Sequence, residues 1–249
     1  MDSYGVSGDV LECGSFRGFS SSCLSMATAY LGRRKLIIAD SFNGLPDIGQ
    51  SGYYKPGMFT CSLNEVKDNI RSFGNLDYVE FIEGWYKESL AGFSKKLCII
   101  WLDVDLSQSA LDVLVNTFSM LSPKGIIMFH ESSPDTFLNG QIKKTNNTPE
   151  GVRLFLQQQG ISYSGKFLSG YTSVVVPNTN YDEKVIYNPA RFDSLLTLLI
   201  PNEWKKAFCR KMIADVQQLP IISQFIEWIF PKIGLKDSFE MIHRNPNLK

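Results

Sequence analysis

Apolar runs and amphipathic stretches alternate along residues 10–177. The run Leu97–Asp103 is apolar at nearly every position, which is typical of a strand covered on both faces of a sheet. The stretch Ser109–Leu121 instead places its apolar residues at helical spacing. Such alternation predicts an α/β fold with a parallel, doubly wound sheet. The predicted strands are Val10–Glu12, Leu36–Asp40, Val79–Glu83, Leu97–Asp103 and Ile126–Phe129, followed by an antiparallel hairpin over 161–168 and 171–176.

Capping and turn residues mark the ends of the helices between these strands. Ser62 and Glu65 form a capping-box pattern, and Pro149 takes the first position of a helix that Gly160 ends. A turn is predicted at Pro123–Gly125, ahead of the last parallel strand. The predicted helices are Ser20–Leu31, 62–73, Ser109–Leu121 and 148–159.

Residues 178–249 have a different character. Two stripes of apolar residues recur there at helical spacing, one from Trp204 to Val216 and the other from Ile222 to Ile233. We therefore divide the chain into a domain over 1–177 and a helical carboxy-terminal extension over 178–249. The extension would act as a lid, pack on the domain, or join two copies in a homodimer. An interfacial membrane helix is less favoured, because Lys and Arg are sparse around the second stripe.

Composition narrows the class of protein. The 249 residues include 25 Lys and Arg and 25 Asp and Glu, so no net positive field favours nucleic acid. Five cysteines are scattered without C-x-x-C spacing, which indicates reduced thiols rather than a disulfide framework or a zinc site. No segment has the pattern of a signal peptide, and no apolar run reaches the roughly 20 residues of a membrane span. We expect a globular, cytoplasmic protein without a nucleic-acid partner.

A glycine-punctuated turn follows the first predicted strand. Gly14 and Gly18 let the backbone pass close to a ligand and present N–H donors at the start of a helix. A dinucleotide site would show G-x-G-x-x-G, whereas this chain shows E-x-G-x-x-x-G from Glu12 to Gly18. The pattern favours a nucleoside ligand without a pyrophosphate. A plain structural turn is the alternative.

Acidic residues stand where four predicted strands end. In an open α/β sheet the ligand lies outside the carboxyl ends of the strands, so these side chains are expected to converge. Asp40 would accept both hydrogen bonds of a ribose diol, with Phe42 against an adenine face. The alternative for Asp40 is a cap of its own loop. The four tips carry Glu12, Asp40, Asp103 with Asp105, and His130 with Glu131.

The ends of the last two of these strands carry a second group of candidate site residues. Asp103, His130 and Glu131 offer carboxylate and imidazole ligands for Mg²⁺, Mn²⁺ or a softer divalent ion. Alternatively, His130 is a general base tuned by a neighbouring carboxylate, with no metal involved.

With these residues in place, the sequence resembles the class I S-adenosylmethionine-dependent methyltransferases. More narrowly, it resembles the macrocin O-methyltransferase family, which methylates sugar hydroxyls of macrolide antibiotics. The resemblance covers about residues 8–177 and implies a mostly parallel, seven-stranded, Rossmann-like sheet. The stretches that carry it are Gly8–Gly18, Asp40–Pro46, Gly57–Phe59, Phe81–Trp85, Glu88–Leu90, Trp101–Leu106 and 151–156.

The resemblance implies an S-adenosylmethionine site along the strand ends. The amino-acid part of the cofactor would lie at the first turn, the ribose on Asp40, and the adenine near Phe42 and Trp85. The implied cofactor-binding residues are Glu12, Cys13, Gly14, Ser15, Phe16, Arg17, Gly18, Ser20, Ser21, Asp40, Ser41, Phe42, Gly84, Trp85 and Asp103.

The sequence departs from the family in three places. The family's metal site uses an aspartate that matches Asp103 and a following pair of aspartates, which here is His130-Glu131. Tyrosines usual after both motifs are replaced by Ser107 and Ser132, so a different acceptor pocket is expected. Helices usual before the first strand are missing, so either another segment, such as the 47–59 loop, supplies a lid or the chain is truncated.

These residues predict an O-methyltransferase that acts on a hydroxyl of a small molecule, a sugar or a glycosylated natural product. A divalent ion held by Asp103, His130 and Glu131 would orient the acceptor hydroxyl, and Asp105 or His130 would take its proton. The alternatives are a phenol, carboxylate or amine acceptor, or a module that binds the cofactor without turnover. A nicotinamide-dependent dehydrogenase fits poorly, because the phosphate-binding glycine pattern is absent.

Overall fold

A seven-stranded sheet forms the centre of the computed structural model, which describes residues 5–32, 34–47, 53–169 and 171–177. Its order along the sheet is β3-β2-β1-β4-β5-β9-β8. The first five of these strands are parallel, and β9 pairs antiparallel with both β5 and β8. The strands are β1 Asp9–Cys13, β2 Leu36–Asp40, β3 Val79–Glu83, β4 Leu97–Leu102, β5 Leu121–Phe129, β8 Tyr163–Ser169 and β9 Thr172–Pro177.

Helices cover both faces of this sheet. Alternate residues of a strand point to opposite faces, so Leu11 belongs to one apolar core and Val10 to the other. Helices α4 and α5 pack on the Leu11 side, and α2 packs on the Val10 side. The predicted doubly wound fold is confirmed for the described residues. The helices are α1 Phe19–Leu31, α2 Leu63–Phe73, α3 Tyr86–Ser89, α4 Ser107–Thr117 and α5 Thr148–Gln158.

Two predicted boundaries were wrong. Helix α4 ends at Thr117 and continues as a 3₁₀ turn over Phe118–Met120, because β5 already begins at Leu121. The turn predicted at Pro123–Gly125 lies inside β5, where the strand advances five residues while β4 advances two. Pairing of both ends of β5 with β4 therefore overrides the local turn signal of Pro and Gly. The extra residues form an irregularity in which Lys124 has φ of 69°.

A small insert that the sequence pattern did not predict separates β5 from α5. It holds a 3₁₀ turn at Pro134–Thr136 and a two-stranded hairpin of β6 Phe137–Leu138 and β7 Gln141–Ile142. The ring of Phe137 packs 6.3 Å from that of Phe129, which anchors the insert to the core.

The remaining sequence expectations have mixed outcomes. Cys13, Cys23, Cys61 and Cys98 are free thiols, as expected. Among the residues that the structure describes, no helix is long and apolar enough to cross a membrane. The predicted helical extension over 178–249, and with it Cys209, lies outside the described residues.

Candidate active site at the carboxyl edge of the sheet

The sheet order brings the predicted site segments into one row. Strands β1 and β4 are adjacent, and the chain leaves β1 toward β2 on one side and enters β4 on the other. Their carboxyl ends therefore flank the topological switch point, where open α/β sheets bind ligands. From β3 to β5, the strand ends carry Gly84 and Trp85, then Asp40, Gly14, Asp103, and finally His130 with Glu131.

The turn between β1 and α1 is tightly constrained. Gly14 has φ of 87°, and a Cβ at this position would lie 1.8 Å from the backbone oxygen of Asp103. Gly18, with φ of 79°, caps α1 without a side-chain hydrogen bond to the first turn. The N–H groups that start α1 are thus left for a ligand rather than for a capping side chain.

Replacing Gly14 with alanine is expected to destabilise the fold. The new Cβ meets backbone, which cannot rotate away, so the loss should exceed about 3 kcal/mol when steric overlap and left-handed strain combine. Gly92 is the matched control, because its φ is 74° but nothing lies within 4 Å of a Cβ there. Urea unfolding should show a loss of about 1 kcal/mol for Gly92→Ala. Equal losses in the two variants would contradict the close approach at Gly14.

Glu12 is a buried carboxylate without a hydrogen-bond partner among the residues that the structure describes. Its side chain is 0% exposed, and neither carboxylate oxygen has a hydrogen bond. Burial raises the pKa of Glu12 to about 7, although the nearby Ser20 and Ser21 hydroxyls act in the opposite direction. Neither hydroxyl meets the geometry of a hydrogen bond to a Glu12 carboxylate oxygen. A buried carboxylate in this state is suited to a cationic ligand group.

Asp40 is held by three donors before any ligand arrives. Its Oδ2 accepts from the Ser15 backbone N–H at 2.7 Å and from Ser15 Oγ at 2.9 Å. Its Oδ1 accepts from the Phe42 N–H at 2.9 Å. The sequence offered a ribose ligand or a loop cap as alternatives. The structure shows that Asp40 caps the Phe42 turn while its half-buried carboxylate still faces the row of strand ends.

Of the residues predicted to lie near the adenine, Phe42 is buried and Trp85 is exposed. The Phe42 ring is 6% exposed and lies 6.3 Å from the Phe81 ring in the core. Gly84 is tied to β2 by its N–H, which donates to the Asp40 backbone oxygen at 2.9 Å. Trp85 is 42% exposed and thus offers the accessible aromatic surface at this end of the row.

The other predicted cofactor residues surround the first turn at different depths. The Cys13 thiol packs in the core, and burial raises its pKa well above the usual value. Arg17 is exposed, and its guanidinium lies 5.4 Å from the Phe16 ring centre. Ser41 Oγ donates to the Gly44 oxygen at 2.9 Å and so stabilises the loop that follows Asp40.

The second group of candidate site residues also converges. His130 Nδ1 lies 3.2 Å from Asp103 Oδ1 and 3.1 Å from Glu131 Oε1. Burial alone would lower the pKa of His130, but the two carboxylates outweigh it and raise the pKa to about 11. Burial acts to raise the pKa of Asp103, yet His130 holds it below its usual value. Burial raises the pKa of Glu131 to about 7.

This cluster fits a divalent cation. One ligand atom from each of Asp103, His130 and Glu131 lies within 4.8 Å of the others. Glu131 Oε2 is buried and has no hydrogen-bond partner in the described part of the chain, as a metal ligand would be before binding. Two carboxylate oxygens and one imidazole suit Mn²⁺ and tolerate Mg²⁺.

Comparison with known proteins places the site in a family. The sequence model of the macrocin-O-methyltransferase (TylF) family matches residues 2–139, a segment that includes all five strand ends of the row. The chain belongs to this family. The fold is similar to that of the O-methyltransferase NovP, which superposes with a TM-score of 0.58 at 24% identity, over 72% of this chain and 75% of that one. A calicheamicin methyltransferase gives 0.53 at 15% identity, over 71% and 74%.

Three curated relatives are 31–33% identical to this chain over about half of its length. The 8-demethyl-8-(2,3-dimethoxy-alpha-L-rhamnosyl)-tetracenomycin-C 4'-O-methyltransferase of Streptomyces olivaceus is 33% identical over 144 residues, 53% of this chain and 55% of the relative. Mycinamicin III 3''-O-methyltransferase of Micromonospora griseorubida is 32% identical over 145 residues, 51% and 56%. The third is demethyldecarbamoylnovobiocin O-methyltransferase of Streptomyces niveus, 31% identical over 138 residues, 49% and 52%. The chain spans about half the length of the curated relatives it matches.

Two tyrosines that the sequence reading missed border the acidic cluster of this macrocin-O-methyltransferase family member. The Tyr54 hydroxyl lies beside the Asp105 carboxyl, and burial with these carboxylates raises the pKa of Tyr54 far above its usual value. The Tyr171 ring lies 6.1 Å from the His130 ring, and its backbone oxygen accepts from Ser132 N and Oγ. The only sequence signal for Tyr54 was the long, tyrosine-containing loop, and for Tyr171 the hairpin turn.

Asp105 belongs to the same cluster and also has a raised pKa. Burial first, and then the charges of Glu131 and Asp103, raise its pKa to about 8. Its backbone φ is 60°, and Phe16, Phe42 and Glu131 also have positive φ between 44° and 54°. Left-handed conformations of non-glycine residues cost roughly 1–3 kcal/mol each and are found where function requires them. Here they occur directly after four neighbouring strands of the row.

Proposed function

We propose that the chain is an S-adenosylmethionine-dependent O-methyltransferase that methylates a hydroxyl of a small molecule, a sugar or a glycosylated natural product. Membership of the macrocin-O-methyltransferase family supports the reaction class. The names of the relatives, a rhamnosyl-tetracenomycin 4'-O-methyltransferase and a mycinamicin III 3''-O-methyltransferase, support the acceptor class. The observation that carries the proposal is the unpaired, buried carboxylate of Glu12 at the switch point.

The residues around β1 and β2 fit the cofactor. Glu12 would balance the positive charge of its α-ammonium group, which S-adenosylhomocysteine also carries. The N–H groups of the first turn of α1 would bind its carboxylate, and Asp40 would bind its ribose. Trp85 would cover the adenine at the β3 end of the row. When bound, S-adenosylmethionine supplies an electrophilic methyl group on a sulfonium. The protein's part is to orient the acceptor oxygen and exclude water.

The residues around β4 and β5 fit the acceptor side. A sugar hydroxyl is a poor nucleophile until it loses its proton, so a base with a pKa near the working pH is required. In the ion-free cluster, the pKa of Asp105 is raised to about 8, closer to this requirement than that of His130, which is raised to about 11. We therefore favour Asp105 as the proton acceptor among the two predicted candidates. In the ion-free cluster, His130 pairs with Asp103 and Glu131.

A divalent ion belongs to the proposal as well. Asp103, His130 and Glu131 would hold Mg²⁺ or Mn²⁺. When bound, the ion supplies Lewis-acid activation of the acceptor hydroxyl. Binding requires His130 to give up its proton, because the metal ligand is the neutral imidazole.

Ligand-induced stabilisation tests the cofactor assignment. S-adenosylhomocysteine should raise the melting temperature of the protein in a concentration-dependent way, and NAD should leave it unchanged. Methyl transfer is then tested by incubating the protein with S-adenosylmethionine and a panel of glycosylated and phenolic acceptors, with mass spectrometry of each product. Binding of the cofactor without methyl transfer to any acceptor would indicate that the protein is a cofactor-binding module. A melting temperature that S-adenosylhomocysteine does not change would refute the proposal.

Chelation tests the metal. Treatment with EDTA, followed by removal of the chelate, is expected to lower turnover on the order of 100-fold, since the ion stabilises charge on the reacting oxygen. Adding back Mn²⁺ or Mg²⁺ singly should restore it. Binding of S-adenosylhomocysteine, measured by calorimetry on the same samples, should change little. Full turnover in rigorously metal-free protein would leave Asp105 and His130 to act without an ion.

A further inference from the structure

Ser15, just after β1, hydrogen-bonds to Asp40 at the end of the adjacent strand β2. Its backbone N–H and its hydroxyl both donate to Asp40 Oδ2, at 2.7 and 2.9 Å. The two residues lie 25 positions apart in the chain and stand at the ends of the adjacent strands β1 and β2. Ser15 is 4% exposed, so both donors are shielded from water. Hydrogen bonds to a carboxylate are stronger when they are buried in this way.

The backbone fixes the position of Ser15 independently of any ligand. It lies between Gly14, with φ of 87°, and Phe16, with φ of 44°. Its backbone oxygen accepts from the Gly18 N–H at 2.7 Å, which closes the turn. The Ser15 hydroxyl is therefore directed at Asp40 by a rigid turn.

Counting acceptor sites shows what this does to Asp40. A carboxylate has about four lone-pair sites. Ser15 occupies two at Oδ2 and the Phe42 N–H occupies one at Oδ1, so one site at Oδ1 stays open for a ligand. The sequence-based expectation that Asp40 accepts two ribose hydrogen bonds is thus reduced to one while the Ser15 bonds persist. That remaining site is fixed in direction by the other three bonds.

We infer that Ser15 is a positioning residue that acts on the ribose of the cofactor through Asp40. The inference rests on the proposed function, since it assumes that Asp40 binds the ribose. Because the open lone pair of Asp40 is held in place before binding, little ordering is left to occur when the ligand arrives. Loss of the Ser15 hydroxyl would leave the carboxylate with the two backbone donors of Ser15 and Phe42 alone, and so less firmly oriented.

Calorimetry on four proteins tests this role: wild type, Ser15→Ala, Asp40→Ala and the double variant. Ser15→Ala should weaken binding of S-adenosylhomocysteine about 10-fold, the size of one charged hydrogen bond. In the Asp40→Ala background the same change should have less than about a twofold effect, since coupled residues do not add. Additive losses in the double variant would overturn the inference and indicate direct contact between Ser15 and the ligand.

Adenosine supplies a second arm, because it carries the ribose without the amino-acid part. Ser15→Ala should weaken the binding of adenosine and of S-adenosylhomocysteine by the same factor. If only the binding of S-adenosylhomocysteine were weakened, and not that of adenosine, the inference would be overturned. Ser22→Ala is the matched control, since Ser22 is also buried and its Oγ donates to the Gly18 backbone oxygen at 2.7 Å.

The ligand-free melting temperatures of all variants show whether each remains folded. Failure of the wild type to bind S-adenosylhomocysteine would refute the proposed function itself. Wild-type binding with an unchanged Ser15→Ala variant would refute only the role of Ser15.

Discussion

Replacing Glu12 with glutamine is expected to stabilise the ligand-free protein and to weaken S-adenosylhomocysteine binding on the order of 100-fold. The two effects have opposite signs because they share one cause. The Glu12 carboxylate is buried without a partner, so its charge costs folding free energy until a cationic ligand balances it. Glutamine removes both the cost and the attraction. The measurement is calorimetry for binding and urea unfolding for stability.

The pH dependence of stability isolates this charge. In the folded protein the pKa of Glu12 is raised to about 7, whereas the usual value is 4.5. The folded state therefore holds the proton more tightly than the unfolded state. Its contribution to the free energy of unfolding is fully present below pH 4.5 and is lost as pH rises through 7, a loss of about 3 kcal/mol.

The Glu12→Gln variant should accordingly match the wild type near pH 4 and exceed it by about 3 kcal/mol at pH 8. The titrations of Asp105 and Glu131 occur in both proteins and largely cancel in the difference. Glu88→Gln, at an exposed position of α3, is the control and should show no such pH-dependent gain. A Glu12→Gln variant that is less stable than the wild type at pH 8 would show that the carboxylate is paired within the protein.

The parallel strands and their carboxyl edge were readable from sequence because most of these strands contain a short apolar run. The bounds of β2 and β3 agree with prediction to the residue. Once the strands are parallel, their carboxyl ends must share one edge, so the approach of Asp40, Asp103 and His130 follows from topology alone. The location of functional side chains that directly follow a parallel strand is therefore predictable.

What depended on contacts distant in sequence was not predictable. The pattern of residues 131–147 has no period, so the β6–β7 insert had no signal. Phe42 was predicted to lie against an adenine face, and the sequence did not indicate that its ring also packs against Phe81 in the core. Tyr54 and Tyr171 reach the acidic cluster from loops whose course the sequence does not specify. The pairing of Ser15 with Asp40 likewise required the turn geometry.

Replacing Asp103 with asparagine is expected to lower turnover by about 10²- to 10⁴-fold, the range associated with loss of acid–base machinery. Asp103 is the carboxylate that contacts His130 from the β4 side, at 3.2 Å. Its charge favours the cationic state of His130 in the free protein and would contribute to binding a divalent ion. Without that charge, the pKa of Asp105 is still raised by burial and by Glu131, but it loses the smaller contribution of Asp103.

Binding and turnover should separate in this variant. S-adenosylhomocysteine affinity is expected to fall far less than turnover, because the Glu12 and Asp40 carboxylates on β1 and β2 are unchanged. Asp112→Asn provides the control, since Asp112 accepts a hydrogen bond from Gln108 on the outer face of α4 and should keep wild-type turnover. Steady-state rates and calorimetry on both variants give the comparison. If Asp103→Asn turns over at the wild-type rate, the cluster around His130 is structural and methyl transfer must rely on another part of the row.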